Sequence, residues 1–345
     1  HYPLRRQRQM CIRDRIGALA CLLVLAASVG HQLFSPSRLE FGFGTKAYAF
    51  PDGAVAFLER HRLEGRIFNT YEFGGYLIWH RWPVNQVFID GRYDTILFDE
   101  GLLEAYIDAH RIPAALDRIT ETYGVEILLL DADPPRQIPF LGKHPRWARV
   151  YWEPQAEVYV RRGGRYADLI ATHEYRLTRP AADTAYLSVY RPDPERWNQA
   201  LAELRRAVRE NPQNTVAWLA LAQEYRAAGA GSLEERLDAL THAASLMAGR
   251  IGEGRAHAER AEVLLQLGRL DEAGMEAKRA LRMDGDLLLP RWVLASVAER
   301  RGNWAEAQEH LRVLLARLEP RDPRVPSVRK SLDEVERRLR GEKGQ

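Results

Sequence analysis

Gly268 and Gly302 stand 34 residues apart, and the chain repeats itself around them. Ala261, in AEVLLQLGRLDEAGMEAKRALRMDG (261–285), matches Ala295, in ASVAERRGNWAEAQEHLRVLLARLEP (295–320). Leu270 matches Trp304, Ala273 matches Ala307, Ala277 matches Leu311, and Ala280 matches Leu314. No other feature constrains the fold as much, because a single unit of this length cannot bury its own apolar face and must stack on the next. Small residues fall where two helices would cross, glycine falls at the turn, and an acidic or proline stop closes each unit. An earlier copy, VAWLALAQEYRAAG (216–229), places Trp218, Leu221, Ala222 and Tyr225 on a first helix and Gly229 at the turn. Gly229 and Gly268 are 39 residues apart, so this unit carries an insertion of about five residues before a second helix over 233–248. WNQALAELRRAVRENP (197–212) reads as a lone second helix, and the polar segment 323–341 as the cap such stacks require.

Period, glycine turns and alanine positions together resemble the tetratricopeptide repeat (TPR). The resemblance implies an α-solenoid over 195–322, packed through Trp218, Tyr225, Gly229, Ala261, Gly268, Ala273, Gly302, Trp304 and Ala307. It also implies a concave groove for an extended peptide or partner helix. The alternative is a stack that packs only on its own chain. His242, His257 and His310 lack ligand spacing and read as surface or groove residues.

Residues 50–192 alternate between helix and strand signals, which predicts a small mixed α/β domain. A helix begins at Pro51-Asp52 and is stopped by Gly65; RIFN (66–69) is a strand; YEFGGYLIWHR (71–81) has helical spacing and ends at Trp82-Pro83. QVFID (86–90) reads as a buried strand closing on an Asp-Gly turn, and helices follow over 99–111, with Asp99 as N-cap, and 113–124. VEILLLD (125–131) is a continuous apolar strand of the parallel-sheet kind, and WARVYWEPQAEVYVRR (147–162) reads as a hairpin.

The candidate chemistry sits at strand ends. Asp90, Arg92 and Asp94 follow one strand and Asp131 and Asp133 another, on the edge where open α/β sheets place ligands. Two acidic turns there suit either helix and turn capping or a divalent cation held by Asp90, Asp131 and Asp133. Gly74-Gly75 in a helix costs about 1 kcal/mol per residue relative to alanine, which points to a close backbone approach. No cofactor is implied, because neither GxGxxG nor GxxxxGK followed by Ser or Thr occurs. Ser188 is the only serine between 50 and 192, so a Ser/His/Asp triad is hard to build. Cys11 and Cys21 are the only cysteines, which excludes thiolate chemistry after residue 21. A net charge of +3 gives no reason to expect a nucleic-acid partner.

The segment IGALACLLVLAASVGHQLF (16–34) is uncharged through Gly30 and is expected to be a transmembrane helix, either the last span of a longer protein or a single anchor or signal peptide. A buried soluble helix is the third reading, and the lack of a polar face speaks against it. His1 in place of Met, and QMCIRDR (9–15), which is similar to translated sequencing-adapter tails, make residues 1–15 read as non-native or as a cytoplasmic flank of a fragment.

Tyr71, Glu72, Gly74-Gly75-Tyr76-Leu77 and then Val87-Phe88-Ile89-Asp90-Gly91-Arg92 resemble a pattern that follows the last membrane helix of bacterial polytopic membrane proteins. These are glycosyltransferase-like proteins of the dolichyl-phosphate-mannose-mannosyltransferase type, with the GT-C membrane fold. GLLEAYIDAH, YGVEILLLD and WARVYWEPQAEVYVRR are similar to that family's tail, and the likeness covers about residues 16–165. The resemblance places residues 35–345 on the periplasmic face of the inner membrane. It makes Tyr71, Glu72, Gly74, Gly75, Asp90, Arg92 and Asp94 a candidate ligand or acceptor face. No catalytic residue carries over, because the family's acidic residues lie in an early outer loop with no counterpart here. The expected architecture is therefore α/β plus all-α: one transmembrane helix, a small mixed α/β domain and a C-terminal TPR-like α-solenoid. The expected role is protein–protein interaction at a membrane surface. The alternative is the tail of an active lipid-linked-sugar glycosyltransferase.

Overall fold

The computed structural model describes residues 22, 24, 28, 50–92, 100–133, 137–181, 184–229, 232–250 and 252–341. Residues 1–15 and most of the expected span 16–34 lie outside the described residues; Leu22, Val24 and Ser28 are helical. Among the described residues, no helix is long and apolar enough to cross a membrane. Residues from Phe50 onward form one compact unit.

The first part of that unit is a five-stranded mixed sheet in the order β2-β1-β3-β5-β4. Its strands are β1 (Gly65–Asn69), β2 (Asn85–Val87), β3 (Ile127–Asp131), β4 (Trp147–Trp152) and β5 (Ala156–Arg161). β1 runs parallel to β2 and β3, and the β4–β5 hairpin joins β3 antiparallel. Alternation along the strands sorts the core into two layers. Ile67, Ile127, Leu129, Val158 and Val160 face α1 (Asp52–Arg60) and α2 (Gly74–Arg81) through Phe57, Leu58 and Leu77. Phe68, Leu128, Leu130 and Tyr159 face α3 (Glu100–Ala109) and α4 (Pro113–Thr122) through Tyr106, Leu116 and Ile119.

The helix expected over 71–81 begins at Gly74 after a 3-10 turn over Tyr71–Phe73, and two further boundaries differ from expectation for reasons the structure shows. The first helix ends at Arg60, five residues before Gly65, because Arg62 takes a left-handed φ of 51° and turns the chain early. The second strand covers only Asn85–Val87 rather than 86–90. The buried Asn69 side chain replaces the missing ladder: its Oδ1 accepts from the Phe88 N–H at 2.9 Å and its Nδ2 donates to the Ile89 carbonyl at 2.8 Å. A side-chain amide can satisfy one strand's donor and acceptor without continuing the strand. The expected N-cap Asp99 lies outside the described residues.

A short helix α5 (Ala167–His173) and a 3-10 turn (Ala185–Tyr190) lead into the helical part. The lone helix α6 (Pro194–Glu210) is N-capped by Asp193 and precedes three hairpins. These are α7 (Thr215–Ala228) with α8 (Leu233–Leu246), α9 (Glu253–Gln266) with α10 (Leu270–Met283), and α11 (Leu288–Arg300) with α12 (Trp304–Arg317). The amphipathic α13 (Val325–Leu339) closes the stack, burying Val325, Val328 and Val335 with Leu311 and Leu314. Ala261, Ala273 and Ala307 are fully buried, and Tyr225 is buried. Trp218 and Trp304 pack from the margin of the core. Glycines 229, 268 and 302 hold φ of 87°, 77° and 75°. A Cβ at Gly268 would meet nothing within 4 Å. Gly268→Ala should therefore cost only the left-handed penalty, about 1 kcal/mol, read as a lower denaturation midpoint at unchanged m-value.

The sheet and the stack share a core. Trp152, Tyr175 and Leu187 pack with Leu201, Leu204, Leu221 and Leu240 in one apolar cluster. The buried Glu203 carboxylate of α6 accepts backbone N–H groups from Arg176, Leu177 and Thr178 at 3.0, 3.0 and 2.8 Å. Asn214 donates to the Trp152 carbonyl at 2.9 Å and caps α7 through Ala217 N–H at 3.0 Å.

Candidate functional site

The carboxyl ends of β1 and β3 open into a cleft of about 670 Å³ lined by Thr70, Tyr71, Glu72, Tyr106, His110 and Phe140, among others. Thr70 ties its two walls, since its hydroxyl accepts the Asp131 N–H at 2.8 Å. Tyr106 Oη accepts the Tyr71 N–H at 3.1 Å, and His110 Nδ1 lies 2.8 Å from the Tyr106 carbonyl. A carbonyl only accepts, so His110 carries its proton on Nδ1 and leaves Nε2 as an acceptor. Burial holds the His110 imidazole below its ordinary pKa and pushes the Tyr106 phenol up. The cleft thus offers aromatic faces, a carboxylate and a neutral imidazole, a lining suited to a polar ligand with an apolar face.

Of the expected acceptor-face residues, the structure brings Tyr71 and Glu72 into this cleft. Gly74 and Gly75 have different jobs. A Cβ at Gly74 would sit 2.2 Å from the Ile89 carbonyl oxygen and 2.7 Å from Asp90 Cα, whereas one at Gly75 meets nothing within 4 Å. The first is the close backbone approach that the helix needs to reach the β2 end; the second is exposed. Asp90 is buried and closed on Arg92, with Oδ1 accepting the Arg92 N–H at 3.0 Å and Nε at 2.8 Å, and Oδ2 accepting Nη2 at 2.9 Å. These bonds hold the Asp90 carboxyl below its usual range. Asp90→Ala should cost about 1 kcal/mol in melting experiments, the loss of a charge-assisted turn bond. Asp94 lies outside the described residues.

Asp131 and Asp133 form a local turn, with Asp131 Oδ1 accepting the Asp133 N–H at 2.7 Å. Among the described residues, the one group of three side chains with ligand atoms in mutual reach is His61, His173 and Glu210, elsewhere in the fold. No sequence spacing signals it, because the three come from the ends of α1, α5 and α6.

The stack carries an inner ladder of charge. Glu224 is fully buried and accepts from Arg191 Nη2 at 2.8 Å and Trp197 Nε1 at 3.0 Å. Arg236 is buried against Glu262 at 3.0 Å and Glu259 at 3.5 Å. Arg226 reaches the same Glu262 at 3.6 Å. His257, expected at the surface or in a groove, is buried instead: it bridges α9 and α10 through Glu276 at 2.6 Å, with Glu253 at 3.5 Å on its other nitrogen. One carboxylate a turn earlier on α9 and one on the neighbouring α10 enclose the ring. His242 stays exposed, stacked on Trp218 at 4.2 Å, and His310 is half-buried.

No family model and no curated protein matches this chain. Among solved structures it is similar to the MamA protein, at 14% identity over 45% of this chain and 79% of that one, with a TM-score of 0.39. It is also similar to a tetratricopeptide repeat protein from Parabacteroides merdae, at 18% identity over 46% of this chain and 58% of that one, TM-score 0.37. A third is YrrB, described as a TPR protein with an unusual peptide-binding site, at 14% identity over 46% and 77%, TM-score 0.36. The chain's own geometry carries the structural conclusion: successive antiparallel hairpins, glycine turns at the repeat spacing, buried alanines at the crossings and an amphipathic closing helix make its C-terminal part a TPR-like helical repeat.

Proposed function

We propose that this chain is a docking module that presents its TPR-like stack to a protein or peptide partner at the outer face of a membrane. The carrying observation is the shared core of sheet and stack, anchored by Glu203 and Asn214, which holds the repeat rigidly on the α/β domain. A rigid solenoid binds with little loss of conformational freedom. Membrane attachment rests on the apolar segment 16–34 and on the resemblance to the tails of GT-C-type membrane proteins. It gains support from Trp79 and Trp82, 85% and 63% exposed at the end of α2, since tryptophan favours the bilayer interface. The test places a photo-crosslinking side chain at Gln223 or Glu262, on first helices of the hairpins, and at Asp238 or Glu272, on second helices, in membrane vesicles. One discrete adduct from the first-helix positions alone supports a groove partner. Equal labelling from both sets removes it.

A second reading is the non-catalytic face of a lipid-linked-sugar glycosyltransferase, and the aromatic cleft at the ends of β1 and β3 favours it. In the intact protein, Glu72→Gln would then reduce sugar transfer at least several-fold with the melting temperature unchanged. Unaltered transfer in that variant would leave the cleft without this role.

A further inference from the structure

We infer that His61, His173 and Glu210 form a transition-metal site of the zinc class where α1, α5 and α6 converge. The three side chains belong to three separate helix ends, yet each directs a ligand atom to one point, all within 4.8 Å of one another. Glu210 Oε2 lies 3.9 Å from His61 Nε2, and Glu210 Oε1 lies 3.7 Å from His173 Nε2. Both separations exceed a hydrogen bond. Donor atoms about 4 Å apart leave a cation at their centre about 2.4 Å from each, and small rotamer adjustments close that to the roughly 2.0–2.2 Å of zinc bonds.

The protonation pattern fits a ligand set. Thr172 Oγ1 lies 3.0 Å from the Asp168 carbonyl and 3.2 Å from that of Leu169, so its one hydrogen is used there. The same oxygen is 2.7 Å from His173 Nδ1 and must accept from it. His173 therefore carries its proton on Nδ1 and turns an unprotonated Nε2 toward Glu210. A hydrogen-bonded second nitrogen is how proteins orient a metal-binding imidazole. His61 Nε2 is buried and has no hydrogen-bond partner. Phe57 packs on both rings, at 4.4 Å from His61 and 5.9 Å from His173, and limits their rotation.

Two imidazoles and one carboxylate are the ligand types of zinc, cobalt and nickel rather than of calcium or magnesium. Three protein ligands leave a coordination position for water or for a side chain of a bound partner. Arg60 is the competing cation: its guanidinium holds Glu210 Oε2 at 2.7 Å. That side chain is 52% exposed, so it can withdraw to solvent when a metal arrives. The site would pin the lone helix α6 to the α/β domain and make the sheet–stack junction metal-dependent.

The test titrates the full-length chain with Zn²⁺ by calorimetry and with Co²⁺ by visible absorption. One equivalent per chain is expected, with the intense visible bands of low-coordinate cobalt. His173→Gln and Glu210→Gln should each weaken binding by on the order of tenfold or more, as loss of a ligand requires, and Thr172→Val should do so by about tenfold through the lost orienting bond. Arg60→Ala should tighten it by removing the competitor. His242→Ala, at an exposed imidazole, should change nothing. Circular dichroism and melting confirm that each variant is folded; should His173→Gln fail to fold, Arg60→Ala and Thr172→Val still decide, since their effects have opposite signs. No stoichiometric binding, or binding that none of these changes alters, overturns the site.

Discussion

Gly74→Ala is expected to destabilise the chain by about 3 kcal/mol, the upper end for inserting a methyl group into a packed site. The added Cβ would meet backbone, the Ile89 carbonyl at 2.2 Å and Asp90 Cα at 2.7 Å, not a side chain that can swing aside. Relief would require α2 to lift from the end of β2, and that would uncover Phe73 and Leu77 of the core. Gly75→Ala is the matched control. Its Cβ is in open space at the start of the same helix, so it should stabilise by about 0.5 kcal/mol through helix propensity. Denaturant unfolding of the two variants reads both; equal effects would show that α2 does not press on the β2 end as described.

The second large effect is on pH. Glu153 is buried at the sheet–stack junction, where its carboxylate accepts the Ala54 N–H at 3.0 Å, Tyr151 Oη at 3.1 Å and Asn211 Nδ2 at 2.8 Å. Burial outweighs these bonds and pushes its pKa up from 4.5 to about 7. A carboxyl group that is harder to ionise folded than unfolded stabilises the fold fully below pH 4.5, and loses that contribution as pH rises through about 7. The amount is about 3 kcal/mol. Burial holds His61 and His173 below their ordinary pKa, so they act with the opposite sign: their contribution is present at neutral pH and lost on acidification. The clean readout is therefore the stability difference between wild type and Glu153→Gln at pH 5 and pH 8. Wild type should lose about 2.5 kcal/mol relative to the variant between these limits, since a part is already lost at pH 5. A difference independent of pH would mean that Glu153 is ionised throughout.

Period and composition make most of the helical part legible in the sequence itself. Glycines 229, 268 and 302 are turns because only glycine holds positive φ at little cost, and Ala261, Ala273 and Ala307 are crossings because a larger side chain would separate the helices. Short apolar runs placed β1 and β3, and alternation placed the hairpin, for a similar reason: each pattern is a local property of the chain. The limit shows at β2, where the run QVFID has strand composition yet only Asn85–Val87 pairs. What ends it is Asn69, whose side chain occupies the pairing groups of residues 88 and 89, nineteen and twenty positions further along the chain. The Gly74-Gly75 pair shows the same limit. Its cost was visible, but which glycine was obligatory depended on what lay opposite.

Repeat architecture, the positions of β1, β3 and the hairpin, and the acidic turn at Asp90 were thus determined by the sequence alone, because each follows from a local pattern along the chain. Only the tertiary structure decided that sheet and stack share one core, that His257 is buried, that Tyr71 and Glu72 line a cleft with Tyr106 and His110, and that His61, His173 and Glu210 meet. Each of these depends on how helix ends are brought together by packing over long sequence separations. No local pattern encodes that convergence, because the apolar contacts that produce it are non-directional and are satisfied only by the fold as a whole.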